Sequence, residues 1–549
     1  MFAAMRTFLG VDVGTGSARA AVFDEKGRLL GRASEPLELF QPEEGFVEQS
    51  SDSIWRAVGV VANAALRAAS LKADTISGIG FGATSSLVAL DEDDSPVSVS
   101  PSGNDALNVV VWMDERATIE AEIINSRGDE LLRYTGGRIS AEMQIPKLLW
   151  LKRHLPLTWD RTARFFDLPD YLTYRATGND ARSLCSLGCR WTFLGHENQG
   201  RGAWSAPFFE TMDLLELLDD EARRIGHDVR QLGSKVGELT ERAAHELGLV
   251  PGIPVGASSI DVHAGGLGLI GMEDKDQQRE SFDDRLALVS GASSCHIAVS
   301  LEPRFVPGVW GPNYNALIPG LWLHEGGQFA TGALIDHVIG SHARAADLHR
   351  DAQSQGQTVY ALLNDRLNVL ATKADFPAEL TRDLHVLPYH CGNRSPRADT
   401  SLRGAVSGLQ LSDSIDQLAL VYLATIQGIA HGTRHIIETL NTHGYSVNLL
   451  AITGAEAKNP VFLREYADVT GCDVLLPESD EAILLGASML GATAAGAYPT
   501  LRAAMAGMSH IATRIVPSGS SVRQYHDNKH RVFFRMYHDQ QAYRTLMGG

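Results

Sequence analysis

Short apolar runs closed by glycines and acids set the pattern of this chain from its first residues. "FLGVDV" from Phe8 and "RAAVFD" from Arg19 have strand-like content, and the turn signal "DEKG" at Asp24–Gly27 leads into "RLLGRA". From about Ser51 the period changes: "SDSIWRAVGVVANAALRAA" places serines and an acid before helically spaced apolar residues, which predicts a helix. "ISGIGFGATSSLVALDEDDSPV" from Ile76 then predicts strand, loop and strand, and "GIPVGASSIDVHAGGLGLIG" from Gly252 a strand, a loop and a glycine-rich helix. Strand and helix alternate in this way to about Gly271, the signature of an α/β protein. A charged stretch of low hydrophobicity, Met272 to Arg285, follows and predicts a crossover or surface loop. After it the opening pattern returns, because "ALVSGASSCHIAVS" from Ala287 repeats the order apolar strand, glycine turn, apolar strand. A long helix from about Asp413 and a strand in "NLLAITGAEAKNP" complete the second half. The recurrence predicts an internal duplication: an α/β domain over 1–271, a crossover at 272–285, and a second domain over 286–549 ending in a helical tail. Two α/β domains facing each other across a cleft is the expected architecture.

Composition narrows the function. At 549 residues the chain exceeds what one core serves, and 44% hydrophobic with 21% charged residues is ordinary globular material. The net charge of −18 argues against nucleic acid as a partner, though not against nucleotides, which local loops and a metal can hold on an acidic protein. Of the five cysteines only Cys185 and Cys189 are close, with no second Cys or His pair beside them to complete a zinc site. Scattered and odd in number, they read as reduced, buried thiols of a cytoplasmic protein. The opening "MFAAMRTFLGVDVG" has too short an apolar run for a secretory signal. "AILLGASMLGATAAGA" from Ala482 falls short of the roughly 20 residues a bilayer requires, so no membrane association is expected.

The usual phosphate-loop signature is absent, and the Gly-x-Gly-x-x-Gly match at Gly266, Gly268 and Gly271 lies inside a predicted helix, where it reads as close packing. The two glycine turns are better phosphate candidates, since tight turns present free N–H groups and small hydroxyl residues add donors. The first offers Gly14, Thr15, Gly16 and Ser17, with Arg19 near; the second offers Gly291, Ala292, Ser293 and Ser294. Asp12, a carboxylate inside an apolar strand beside the first turn, suits Mg²⁺ held by one carboxylate and substrate phosphates.

Taken together, "GVDVGTGSARA", "VWMDERA" at Val111, "DLPDYLTYRATG" at Asp167, "SSIDVHAGGLG" at Ser258, "HCGNRSP" at His390 and "TGAEAKNPVFLREYADVTGCDVLLP" at Thr453 resemble the FGGY carbohydrate kinase family over almost the whole chain. The blocks around "EMQIPKLLWLK" and "RSLCSL" are similar to its D-ribulokinase-like branch. The resemblance implies two actin-like ATPase (ribonuclease H-like) domains and ATP-dependent phosphorylation of a sugar hydroxyl. It implies Asp261 as catalytic base, although an isolated Asp there would read as a helix cap, and it leaves His263 structural. It implies sugar contacts at Trp112, Asp114, Arg116, Arg190, Glu325 and Gln328, a specificity loop at Thr84, Ser85 and Ser86, and adenosine contacts at Gly454, Ala455 and Asn459. The sequence departs from the family at Ala292, where threonine is usual, at Ala455 for glycine, at Arg190 for lysine and at Ser85 for cysteine. Losing the hydroxyl at 292 would cost about 1.5–3 kcal/mol if it bonded a phosphate. The expected activity is phosphorylation of the terminal hydroxyl of a ketopentose by ATP and Mg²⁺, D-ribulose first. The alternatives are another pentulose or polyol (L-ribulose, xylulose, ribitol), or a weakened-site sugar- or nucleotide-binding regulator. A homodimer stays open.

Overall fold

The computed structural model describes residues 6–272 and 282–548. The chain divides into two compact units. The first runs through Phe282 and takes in Val299–His324 and Pro477–His510; the second holds Asp283–Ala298, Glu325–Leu476 and the residues from Ile511. The units are therefore not the two contiguous halves expected from the repeat. Most of the expected crossover, 273–281, lies outside the described residues.

In the first unit the opening strand Thr7–Val13 is buried throughout and pairs antiparallel with Ser17–Asp24 and parallel with Ile76–Ala83. The sheet runs in the order Lys235–Glu238, Pro254–Gly256, Ile76–Ala83, Thr7–Val13, Ser17–Asp24, Leu29–Pro36, with Ser259–Ile260 paired beside Ile76–Ala83. The helix Ser51–Ala68, capped by Ser50, packs its apolar face on this sheet as its periodicity predicts.

The segment 477–510 joins the first unit for a steric reason. Its helix Ala482–Ala494 lies so close to the central strands that a Cβ at Gly80 would overlap the Ala487 carbonyl. The same helix meets Asp261–Ile270, where a Cβ at Gly268 would reach the Ala482 carbonyl at 2.5 Å. The glycine-rich stretch is thus a helix-packing surface. Among the described residues no helix is long and apolar enough to cross a membrane.

The second unit repeats the opening topology. Arg285–Ser290 pairs antiparallel with Ser294–Ser300 and parallel with Leu449–Gly454, which in turn pairs parallel with Asp473–Pro477. The 28-residue helix Ile415–Thr442, capped by Ser414, forms the spine of this unit. A 27-residue helix, Ser520–Leu546, closes the chain.

Candidate active site

Register explains the first charged pair. Asp12 and Arg19 are cross-strand partners in the opening hairpin, and Arg19 Nε and Nη2 reach Asp12 Oδ2 at 3.0 and 2.5 Å. Asp12 Oδ1 is buried without a hydrogen-bond partner. Burial pushes the Asp12 carboxyl up, and the Arg19 guanidinium opposes this without cancelling it. Arg19 Nη1 also lies 3.8 Å from Glu481, a residue that sequence reasoning missed because it sits more than 400 positions away. Arg19 therefore serves carboxylates on two sides; it is not a bare phosphate donor at the turn.

Between these strands Gly14 N–H donates to Ser17 O at 2.9 Å, closing the turn, and Gly16 is exposed at its tip. Trp112 Nε1 donates to Thr15 Oγ1 at 2.9 Å, which leaves the Thr15 hydroxyl proton to donate elsewhere. Asp261 is the first residue of the helix Asp261–Ile270 and accepts from Val262 N–H at 2.7 Å. Its carboxyl is pushed up to about 7, chiefly by desolvation and next by the negative charge of Asp12, with Arg19 and His263 among the opposing influences. That value suits a group that must take up a proton near neutrality.

The loop Thr84–Ser86, expected to set sugar specificity, is part of a buried polar network. Ser85 Oγ donates to Asp167 Oδ2 at 2.8 Å, and Gln144 Nε2 and Trp191 Nε1 donate to the same oxygen at 3.0 and 2.9 Å. Thr84 and Ser86 hydroxyls lie 3.2 Å apart, and Ser86 Oγ accepts from Trp112 N–H. Asp167 Oδ1 and Gln144 Oε1 are buried with no hydrogen-bond partner. Lys147, fully buried, donates to the carbonyls of Val111 and Trp112 at 3.0 and 3.2 Å. Burial pushes its ammonium down to about 8. Asp170 ties Ser258 Oγ and Ser183 N–H together at 2.7 and 2.9 Å, anchoring the chain just ahead of Asp261. Gln144, Lys147, Asp167, Asp170 and Trp191 were not singled out from sequence, although they lie in the blocks that carried the resemblance or next to them.

Asp114 and Arg116, both expected at the sugar, are buried and bonded to each other. Arg116 has a fully buried side chain, bonded to Asp114 and to Glu48, with its guanidinium 4.3 Å from the centre of the Phe46 ring. Asp114 is held in turn by Val47 N–H at 2.6 Å. A buried acid and base neutralise each other here and brace the loop that presents Trp112. Arg190 stacks over Trp310 at 4.8 Å.

In the second unit Gly291 N–H donates to Ser293 O at 2.9 Å, and Ala292 is exposed. The Ala292 carbonyl accepts from Thr331 N–H at 2.8 Å, at the start of the helix Gly332–Gly340. Ser294 is buried and bonded to Thr331 Oγ1, so Ser293 is the hydroxyl left near the tip. Gly454 holds φ +111°, and a Cβ there would overlap the Ser290 carbonyl, whereas Ala455 is exposed at φ −63°, a conformation its methyl tolerates. Asn459 caps the helix Pro460–Thr470, and its side chain is also bonded to Asn364 and Tyr422. Gln328 binds Ile429 O and Thr433 Oγ1 on the long helix, and Glu325 meets Arg394 at 3.3 Å; both are bound into the second unit's interior. Glu456, which sequence reasoning also missed, has a buried Oε2 without a partner, and burial pushes its carboxyl up.

Comparison with known proteins shows the family and the fold. Residues 7–268 match the N-terminal domain of the FGGY family of carbohydrate kinases, and residues 286–495 match its C-terminal domain. The FGGY carbohydrate kinase domain-containing protein of Homo sapiens is 44% identical over 548 residues, covering 99% of this chain and 98% of that protein. A D-ribulokinase of Saccharomyces cerevisiae is 37% identical over 512 residues, covering 89% of this chain and 72% of its own. The solved xylulose kinase of Rhodospirillum rubrum superposes with a TM-score of 0.77 at 20% identity, over 98% of this chain and 99% of that one. The duplicated α/β topology, the paired glycine turns and these matches agree: the chain belongs to the FGGY family of carbohydrate kinases, sugar kinases of the two-domain actin-like ATPase fold.

Proposed function

We propose that this kinase transfers the γ-phosphoryl group of ATP to the terminal hydroxyl of a ketopentose, with D-ribulose the first candidate and D-ribulose 5-phosphate the product. The observation that carries the sugar class is the 37% identity to a protein named D-ribulokinase, extending over most of this chain. Other pentulose kinases at 26–29% identity support the class without adding to the choice of sugar.

In this reading Asp261 takes the proton of the sugar hydroxyl as its oxygen attacks phosphorus, and ADP leaves with the bonding electron pair. Its raised pKa supports the role, since the carboxylate is a stronger base than an exposed aspartate and about half of it is ionised at neutral pH. Ser85, Gln144 and Asp167 form the polar cradle for sugar hydroxyls, with the unpartnered oxygens of Asp167 and Gln144 as acceptors. Trp112 gives the cradle an apolar wall. Backbone N–H groups at the turn tips, Thr15–Gly16 in the first unit and Ala292–Ser293 in the second, are offered to phosphate oxygens. Mg²⁺ fits Asp12, whose Oδ1 is buried and without a partner, and when bound it would neutralise charge on the phosphate chain. Arg19, on the other oxygen, fixes the carboxylate's direction.

The test is a coupled ADP-release assay of purified protein against ketopentoses and polyols. Turnover on D-ribulose well above the other sugars is expected, and Asp261→Asn should remove it while ATP still binds. Near-normal turnover in that variant would refute the assignment of the base. Preference for a different pentulose would replace the sugar and keep the chemistry.

A further inference from the structure

One cluster of reactive side chains has no part in the chemistry above. Cys185 and Cys189 stand one helical turn apart in the helix Leu184–Arg190, so both thiols share a face. His263, third residue of the helix that begins with Asp261, turns its ring to that face, with Nδ1 3.1 Å from Cys185 Sγ. The three donor atoms all lie within 4.8 Å of one another, and all three residues are buried. From sequence the two cysteines lacked a partner and His263 read as structural; folding supplies the third donor from 78 positions away.

We infer that Cys185, Cys189 and His263 form a binding site for a soft divalent cation, zinc by preference, that ties the helix carrying Arg190 to the helix carrying Asp261. Two sulfurs and an imidazole are the donor set that favours zinc over magnesium or calcium. In a tetrahedral zinc site the ligand sulfur and nitrogen stand about 3.5 Å apart, close to the separation of Cys185 and His263 before any metal adjusts it. Ser259 Oγ, 3.7 Å from Cys185 Sγ, is an oxygen at hand for a fourth position. Binding would release the two thiol protons to solvent, with His263 neutral, Nδ1 on the metal and the ring proton on Nε2. No redox change is involved. Because the donors are buried, the metal would be a structural tie and not a Lewis acid open to substrate.

The experiment titrates the full-length, reduced and metal-stripped protein with Zn²⁺ and, as a coloured probe, Co²⁺. One equivalent should bind, with the thiolate-to-cobalt charge-transfer absorption of a sulfur-ligated site. Cys189→Ala and His263→Asn should each weaken binding at least roughly tenfold and diminish that absorption. Zinc should raise the melting temperature of the wild type and leave that of Cys189→Ala unchanged. If the wild type binds no cobalt through sulfur, or if the absorption persists in both variants, the proposal falls and the cluster is a thiol–imidazole hydrogen bond. The wild-type titration decides the matter even where a variant fails to fold.

Discussion

Asp261 carries opposing demands in one carboxyl group. Its folded-state pKa of about 7 lies above the ordinary aspartate value, so between those values the folded chain binds more protons than the unfolded one. Stability therefore falls as pH rises through that window. Asp261→Asn should raise the melting temperature more at pH 8 than at pH 5, even as it removes catalysis. The same shift predicts that kcat/KM for the sugar rises with pH to a plateau above about 7, as the base ionises. Asp12 contributes to the shift by its negative charge, so Asp12→Asn should move this acid limb to lower pH while lowering the rate. A pH–rate profile of the residual activity checks both signs, and an unmoved limb would separate Asp12 from the base. Lys147 acts through its neighbours, holding the carbonyls of Val111 and Trp112. Lys147→Met should raise the sugar KM by roughly ten- to a hundred-fold, the scale of charged hydrogen bonds, with a smaller change in the KM for ATP. Steady-state kinetics on both substrates separates these effects.

At the scale of elements, the two hairpins are the same device with different tips. The first presents the Thr15 hydroxyl, bonded to Trp112, and the second presents the exposed methyl of Ala292 in the matching position. Because Ala292 is exposed and its carbonyl is already held by Thr331, a hydroxyl can be added without disturbing the turn. Ala292→Thr should lower the KM for ATP by roughly ten- to a hundred-fold, as expected for one added hydrogen bond to a charged group. An unchanged KM in a folded variant would show that Ser293 already fills the role. The strands, turns and long helices were legible in the sequence because each depends on local period and capping: Ser50 and Ser414 cap the helices expected from about Ser51 and Asp413. Partners at long range were not. Nothing local reveals that Arg116 folds back on Glu48, or that Gln328 bonds to the long helix. A polar residue in a motif looks the same whether it faces a ligand or its own core.

At the scale of the whole molecule, the boundary between the units does not follow the repeat. The first unit's sheet is completed by the helix Ala482–Ala494, which fits only against strands that carry glycine at its contacts. A chain ending at Leu476 should therefore lose the first unit's stability as well as its own missing segments. The readout is loss of a cooperative melt and of solubility. An intact first-unit melt in such a truncation would contradict the packing argument. The sequence by itself determined the α/β class, the duplicated hairpins and the family, and singled out Asp12 and Asp261 as candidates, because strand period, glycine turns and contiguous motifs are written along the chain. Only the tertiary structure decided which polar residues are neutralised in the interior, that the segment 477–510 belongs with the first unit, and that His263 meets Cys185. Those outcomes depend on which distant side chains share a buried volume, where an unpaired charge or a misplaced methyl is costly, and no local pattern records that neighbourhood.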